Sequence, residues 1–453
     1  MNVKRTLVFL LLMVQAHSPA QGDSDLRPGP KIVLTLDSAI ALALGQNRDV
    51  MIAEKERYKA DAQVNEAWAG ALPQISLMGL YTRNIRLPVL FLPPNSVFNP
   101  GNSTETLELG SNNSYILGAS LSQVLFSRKI GVALDIAHSY HDFAEEGYRA
   151  TTQDVTLSVK KAFYAVLLAR ELAGANRQGL DVVRSNVENV RLQFAHGNAA
   201  EYDLLRAEVE LANTEPLLIS AENALALALN ALKNLLAIPL GSDIELGGGF
   251  AFDDVPQEVL VEAARNALSA NPAILQLALQ EDILDKNISI ERANFFPTLS
   301  LVGSYQYQTQ DNTFAFKNYL WATSANLGLQ LSFPLFDGFR TGARTEQATI
   351  DRDKVHFARL KAEEGLRIQL QAAELRMAEA KKRIGAQEQS IAQAEKAVRI
   401  AGTRYRSGVG TQLELMDSQV AMTRARATHA QAVYDFLVAK AEWENAAGYS
   451  VRH

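Results

Sequence analysis

The sequence predicts a mainly α-helical chain with a small transmembrane β part: four β-strands and two long coiled-coil helical hairpins. Three observations predict it. The chain repeats itself. Two long blocks are free of proline and carry heptads. Each repeat holds one pair of strands alternating apolar with small polar side chains.

The repeat carries most weight, because self-similarity in fixed order decides the architecture. Leu72-Pro73-Gln74-Ile75-Ser76-Leu77-Met78-Gly79-Leu80-Tyr81 matches Phe296-Pro297-Thr298-Leu299-Ser300-Leu301-Val302-Gly303-Ser304-Tyr305, 224 residues later. The same offset aligns Ala39 with Ala263, Leu44 with Leu268 and Asn47 with Asn271. Further on, Phe194-Ala195-His196-Gly197 matches Tyr405-Arg406-Ser407-Gly408, and Asp203-Leu204-Leu205 matches Glu414-Leu415-Met416. Both halves read helix, strand pair, long helix, Gly turn, long helix. Two Ala-rich helices resemble one another by chance; matched Pro, Gly and Tyr positions do not.

In chain order, the first twenty residues read as a cleaved secretory signal. Lys4 and Arg5 are its positive region, Thr6 to Val14 its apolar core, and Ser18-Pro19-Ala20 or, alternatively, Val14-Gln15-Ala16 its cleavage site. The apolar run is too short to span a bilayer. The chain has no Cys, which excludes a lipid-anchored mature terminus, disulfides and thiolate metal sites. No other segment offers a spanning helix, so any membrane crossing falls to β-strands.

The strand pairs follow. Leu299, Leu301, Gly303, Tyr305 and Tyr307 share one face; Thr298, Ser300, Val302, Ser304, Gln306 and Gln308 share the other. Ala325, Leu327, Leu329, Leu331 and Phe333 repeat the pattern against Ser324, Asn326, Gln330 and Ser332. Alternation alone fits a half-buried soluble sheet as well; the leader and the missing spanning helix favour a barrel with a lipid-facing exterior. Four strands cannot close, since membrane barrels begin at eight, so strand count implies a homo-oligomer.

The helical blocks are bounded by proline. None occurs from 101 to 215 or from 335 onward; Pro216 is expected to kink its helix. Leu370, Ala373, Met377, Ala380, Ile384, Gln387, Ile391, Ala394 and Val398 alternate spacings of three and four, as do Met416, Val420, Thr423, Ala427, Ala430, Tyr434, Leu437 and Ala441. This is coiled-coil spacing. A helix from Gly338 to Arg406 would run ~100 Å at 1.5 Å per residue, the length of a tube rather than of a globular domain.

This constellation resembles the TolC-like outer-membrane efflux proteins over nearly the whole mature chain. The resemblance is carried by Leu34-Thr35-Leu36-Asp37-Ser38-Ala39-Ile40 with Asn47, the strand entries at Pro73 and Pro297, the exit Pro334-Leu335-Phe336-Asp337-Gly338, and the run from Arg404-Tyr405-Arg406-Ser407-Gly408 to Glu414-Leu415-Met416-Asp417. It implies a homotrimer with a 12-stranded barrel in outer-membrane lipid and a periplasmic α-barrel. It implies a passive conduit for efflux or type I secretion, docked on a periplasmic adaptor (membrane fusion protein) and an inner-membrane transporter. The expected organisation is a signal at 1–20, an N-terminal segment and first helix at 21–72, and a first β-hairpin at 73–126 with an extracellular loop at about 88–113. Then come a helical hairpin at 127–239 (tip about 194–205), an equatorial segment and helix at 240–296, a second β-hairpin at 297–336 with its loop at 310–319, a second helical hairpin at 337–447 (tip about 404–417) and a short tail at 448–453.

The resemblance places Glu414 and Asp417 at an acidic gate, with Asp203 as the first-half counterpart of Glu414 and Arg206 opposite Asp417 in the alignment. Carboxylate rings attract cations; acids on helices are also ordinary solvated surface. Gly197 and Gly408 are read as the tip reversals. Phe194, Leu204, Tyr405 and Leu415 flank them, either contacting an adaptor or simply closing the hairpins.

His138, His141, Asp142 and Glu145 lie at helical spacing, but a surface or interface patch is the expected reading and no metal or other cofactor is assigned. No nucleotide, zinc-protease or serine-hydrolase motif occurs, so no enzyme is expected. The pI near 5.8 gives no sign of a nucleic-acid partner. A soluble periplasmic coiled-coil adaptor or structural protein would explain the heptads but not the strands.

Overall fold

The computed structural model describes residues 32–250, 252 and 254–448. The expected signal at 1–20, and all of the tail but Gly448, lie outside the described residues. The first repeat runs β1 (Ile32–Leu34), α1 (Leu36–Gln46), α2 (Arg48–Ala69), β2 (Gln74–Arg83), β3 (Val89–Leu92), β4 (Glu105–Glu108), β5 (Asn113–Phe126), α3 (Arg128–Ala195) and α4 (Glu201–Leu235). The second runs β6 (Ile244–Leu246), α5 (Gln257–Ala270), α6 (Pro272–Ala293), β7 (Thr298–Asp311), β8 (Ala322–Ser332), α7 (Arg340–Arg406) and α8 (Gln412–Ala446).

Four strands form one antiparallel sheet in the order β2-β5-β7-β8. Its register aligns Leu77, Ala119, Tyr305 and Ala325 on one face and Ser76, Ser120, Ser304 and Asn326 on the other. The first face is apolar yet open: Leu77 is 74% and Leu327 71% exposed. Soluble monomers rarely leave such a face to water; it marks a surface for lipid or another protein. Aromatic rings rim it at both ends, with Tyr81 stacked on Tyr115 and Tyr307 on Trp321 at one end and Phe126, Phe333 and Phe336 at the other. This is the band-and-girdle pattern of a membrane barrel wall. Among the described residues no helix is long and apolar enough to cross a membrane.

Two expectations change here. The loop expected at 88–113 contains the β3–β4 hairpin; a four-residue apolar run beside Pro93-Pro94 was too short to read as a strand. Each opening helix is also two helices, broken at Asn47 and at Asn271. Both asparagines are buried and do the same double task. Asn47 Oδ1 accepts from Asp49 N (2.8 Å) while Nδ2 donates to Leu235 O (3.0 Å). Asn271 Oδ1 accepts from Ala273 N (3.0 Å) while Nδ2 donates to Ala446 O (3.1 Å). Each caps a starting helix and ties it to the last residue of its own repeat's return helix. Asn271→Ala is expected to cost about 2–4 kcal/mol, the sum of a lost cap and a buried carbonyl left without its donor. Asn271→Asp, which keeps the cap acceptor but cannot donate to Ala446, should lose about half as much. Thermal denaturation in detergent reads the difference; equal losses would refute the double role.

The core divides along the repeat. One cluster packs Ala39, Ala43 and Val50 against Val159, Phe163, Leu167 and Leu232; the other packs Ala263, Ala267 and Ile274 against Leu370, Ala373, Met377, Phe436 and Trp443. Tyr164 and Phe250 touch both. The parallel pair β1–β6 joins the start of the first repeat to the start of the second. Opening helices, long helices and the two short strands thus meet at one level along the tube.

The long helices are continuous: α3 has 68 residues and α7 has 67, each ~100 Å. The α7 seam is as spaced, with Leu370, Ala373, Met377, Ala380 and Ile384 all buried. In α8 the single seam is too narrow. Val420 is exposed, while Ala432, Val433, Phe436, Ala439 and Trp443 are buried beside the seam residues. The reason is that α8 lies between α7 and α3 and needs two apolar faces. Pro216 lies inside α4, which runs continuously for 35 residues.

Candidate functional site

The distal ends of the two helical hairpins bring the candidate residues together. In the first tip, Gly197 takes φ +77 and its N–H donates to Phe194 O (2.9 Å); Asn198 N donates to Gln193 O (2.8 Å). In the second, Gly408 takes φ +72, and the Val409 and Gly410 N–H groups both donate to Arg404 O (3.0 Å each). Positive φ is why glycine stands at both turns. Gly410 is needed for another reason: a Cβ there would sit 2.8 Å from Arg404 Cβ and 3.1 Å from backbone. Thr411 then caps α8, its hydroxyl accepting from Glu414 N (3.2 Å).

The three acids have separate surroundings. Asp203 is half-buried beside Tyr405, whose hydroxyl is pushed up by burial first and by the Asp203 charge second. Tyr405 also reaches across to Gln193, its Oη donating to Oε1 at 3.5 Å. Glu414 faces Arg404 at 3.6 Å within its own hairpin. Asp417 is exposed and forms no ion pair among the described residues. Phe194 is exposed and Leu204 half-buried, while Leu415 packs toward Gly402. One chain therefore joins its two tips through Tyr405 but gathers no carboxylate cluster.

Above the tips, three ion pairs zip α3 to α4: Arg177–Glu222 (2.5 Å), Arg184–Glu215 (3.0 Å) and Arg191–Glu208 (3.0 Å). Both members step by seven residues, a signal present in the sequence and not used there. Exposed pairs contribute only a few tenths to about 1 kcal/mol each, so the ladder sets register more than stability. The second hairpin holds the pair equivalent to Arg184–Glu215 with its signs exchanged, as Arg426–Glu395 (3.4 Å). Higher up, Arg57–Glu145 (2.5 Å) in one repeat corresponds to Glu281–His356 (2.9 Å) in the other. Burial alone would raise the Glu281 carboxyl; its bonds to His356 and Arg359 outweigh that and hold it low.

The candidate metal cluster is taken up by such pairs. His141 bridges Asp61 and Asp142 (3.3 Å each) and Glu145 is held by Arg57, so these side chains lock α2 to α3. Among the described residues no His/Cys/Asp/Glu group is arranged to hold a metal ion.

An open apolar sheet face, a small-polar opposite face and two long helices of ~100 Å define the subunit of an outer-membrane channel with a periplasmic extension. The Outer membrane efflux protein family matches residues 39–237 and 263–449, and the chain belongs to that family, one of channels rather than enzymes. It is similar to the alkaline protease secretion protein AprF of Pseudomonas aeruginosa, 26% identical over 434 residues, 93% of this chain and 87% of that one. It is 25% identical to the outer membrane protein TolC of Vibrio cholerae over 347 residues, 73% of this chain and 76% of that one. Its fold matches the crystal structure of the CmeC outer membrane channel of Campylobacter jejuni with a TM-score of 0.75 at 16% identity, covering 92% of this chain and 87% of that one. The protein is an outer-membrane channel component of an export system, extending into the periplasm.

Proposed function

We propose that three copies form one passive conduit, with a barrel in the outer membrane and a helical tube that meets a periplasmic adaptor and an inner-membrane transporter at the hairpin tips. One comparison carries this. The helices α4 and α8 occupy the same place in the two repeats and have 35 residues each; α8 buries thirteen of them and α4 only two, Ala207 and Leu232. The contact that α8 makes with α3 inside the chain has its repeat equivalent between α4 and α7. Leu205, Val209, Leu217 and Leu227 of α4 and Phe357, Ile368 and Leu375 of α7 stand exposed for it. A neighbouring copy supplies each missing half. The edge strands β2 and β8 pair across the same boundary, so that three copies of the four-stranded sheet close twelve strands.

The barrel wall would then present Ser76, Ser120, Ser304, Gln306 and Asn326 to the lumen, a neutral hydrogen-bonding lining. The loops at 84–112 and 312–321 face outside, since barrels place longer loops there. Glu414, Asp417 and Asp203 form the gate. Phe194, Gly197, Leu204, Tyr405, Gly408 and Leu415 shape the turns that take the adaptor. Native mass measurement of detergent-solubilised protein is expected to give three copies; a stable folded monomer in detergent would overturn the proposal.

A further inference from the structure

We infer that the three β3–β4 hairpins fold over the extracellular mouth and close it with an apolar plug made by Val97 and Phe98. The inference rests on the trimeric channel proposed above and adds an outer gate to its periplasmic one. The hairpin ends in a turn at Ser96–Asn99, where Ser96 N donates to Asn99 O (2.9 Å) and Asn99 N to Ser96 O (3.1 Å). Val97 and Phe98 hold its two central positions at 95% and 82% exposure. The turn is not slack. Asn99, 1% exposed, donates through Nδ2 to Leu92 O (3.1 Å) and Ser103 O (2.8 Å), and its Oδ1 accepts from Gly101 N (3.1 Å). One asparagine, with three hydrogen bonds, therefore holds two bare apolar side chains at the end of the hairpin. Fixed in advance, they lose little freedom on contact, and left in water they are a liability.

The direction of the hairpin follows from its root. Gln310 lies in register with Ser114 on the small-polar face, the lumen side. Gly110, at φ +94, passes that side chain closely, with a Cβ position 3.7 Å from Gln310 Oε1. Beside it, Asn112 N donates to Asn312 Oδ1 (2.9 Å). The second loop falls on the opposite face, where Phe316 and Tyr319 pack on Tyr115 and Arg83 covers Phe314. The two loops part: one thickens the outer rim and the other leans over the lumen.

Reach is sufficient. Twelve strands spaced ~4.8 Å and tilted ~40° place the wall ~12 Å from the axis. The thirteen residue-to-residue steps from Asn84 to Val97 span up to ~43 Å. No charged residue lies between Asn95 and Asn99; Glu105 and Glu108 sit back on the stem. Three neutral apolar turns meeting on a threefold axis would bury one another and exclude ions until cargo parts them.

The chain has no Cys, so Phe98→Cys provides a unique thiol. Mild oxidation of outer membranes carrying Phe98→Cys should yield a disulfide-linked dimer on denaturing gels, two of three thiols pairing, while Lys317→Cys on the outer loop stays monomeric. Val97→Ser with Phe98→Ser should raise single-channel open probability several-fold in planar bilayers. An intact trimer in which Cys at 98 does not cross-link, or in which nitroxide lipids quench a dye at that site, would overturn the plug. A native mass other than three copies would overturn the assembly and the plug with it.

Discussion

Lys160→Met should destabilise the folded protein by about 3–5 kcal/mol, the usual loss when one partner of a buried ion pair is removed. Lys160 on α3 and Glu444 on α8 are both buried and meet at 2.5 Å, so the pair joins the two repeats across the middle of the tube. The surroundings are dry enough to push the nearby Tyr164 hydroxyl up to about 12, through burial first and the Glu444 and Asp37 charges second. In that setting a lone carboxylate has no partner and little water. The single variant should therefore be far worse than Lys160→Met combined with Glu444→Leu, which removes both charges and should lie within about 1 kcal/mol of the native chain. Thermal or denaturant unfolding in detergent closes the cycle. Additive losses would mean the pair is solvated in the assembly and contributes little.

The other large effect concerns the tips. Neutralising Glu414 and Asp417 together, as Glu414→Ala with Asp417→Ala, should lower the cation-to-anion permeability ratio by roughly tenfold, because a ring of carboxylates in a narrow mouth sustains a potential of several kT. Spacing of three puts both side chains on one helix face. Their shares differ. Glu414 is partly offset by Arg404 at 3.6 Å, whereas Asp417 forms no ion pair among the described residues, so Asp417→Ala alone should change selectivity more than Glu414→Ala alone. Reversal potentials under a salt gradient measure both, and the effect should shrink in 1 M salt, where the Debye length is ~3 Å. Unchanged selectivity in a mutant that still assembles would place both acids on the outer wall of the tube.

What could be read from the residues was what is local or periodic. Proline marked the starts of β2 and β7, alternation separated Leu299 and Leu301 from Ser300 and Ser304, and a spacing of three and four picked out Leu370 to Ile384. Glycine placed both tips because only φ above zero turns the chain there. The rest depends on partners distant in sequence. Which α8 residues are buried is set by α3 as well as by α7, and no period within α8 contains that. Tyr405 meets Gln193 across 212 residues. The β3–β4 hairpin was hidden by the Pro/Asn/Ser-rich composition around Val89-Leu90-Phe91-Leu92. The Arg177, Arg184, Arg191 ladder was in plain view and needed only its matching acids counted backwards from Glu222.

The exchanged signs of Arg184–Glu215 and Glu395–Arg426 bear on how the two halves tell themselves apart. A duplicated chain faces a sorting problem while it is being secreted and zipped, since each long helix has two candidate return helices of equal length. If α3 zipped with α8 in the hairpin register, Arg184 would meet Arg426; if α7 zipped with α4, Glu395 would meet Glu215. Each error exchanges an attraction for a repulsion, a swing of about 1 kcal/mol at an exposed site. The two mistakes occur together, so the penalties add. Polarity at one matched rung thus labels the hairpins, and it commits the molecule to two unlike halves: a tube of six identical half-chains could not carry both labels.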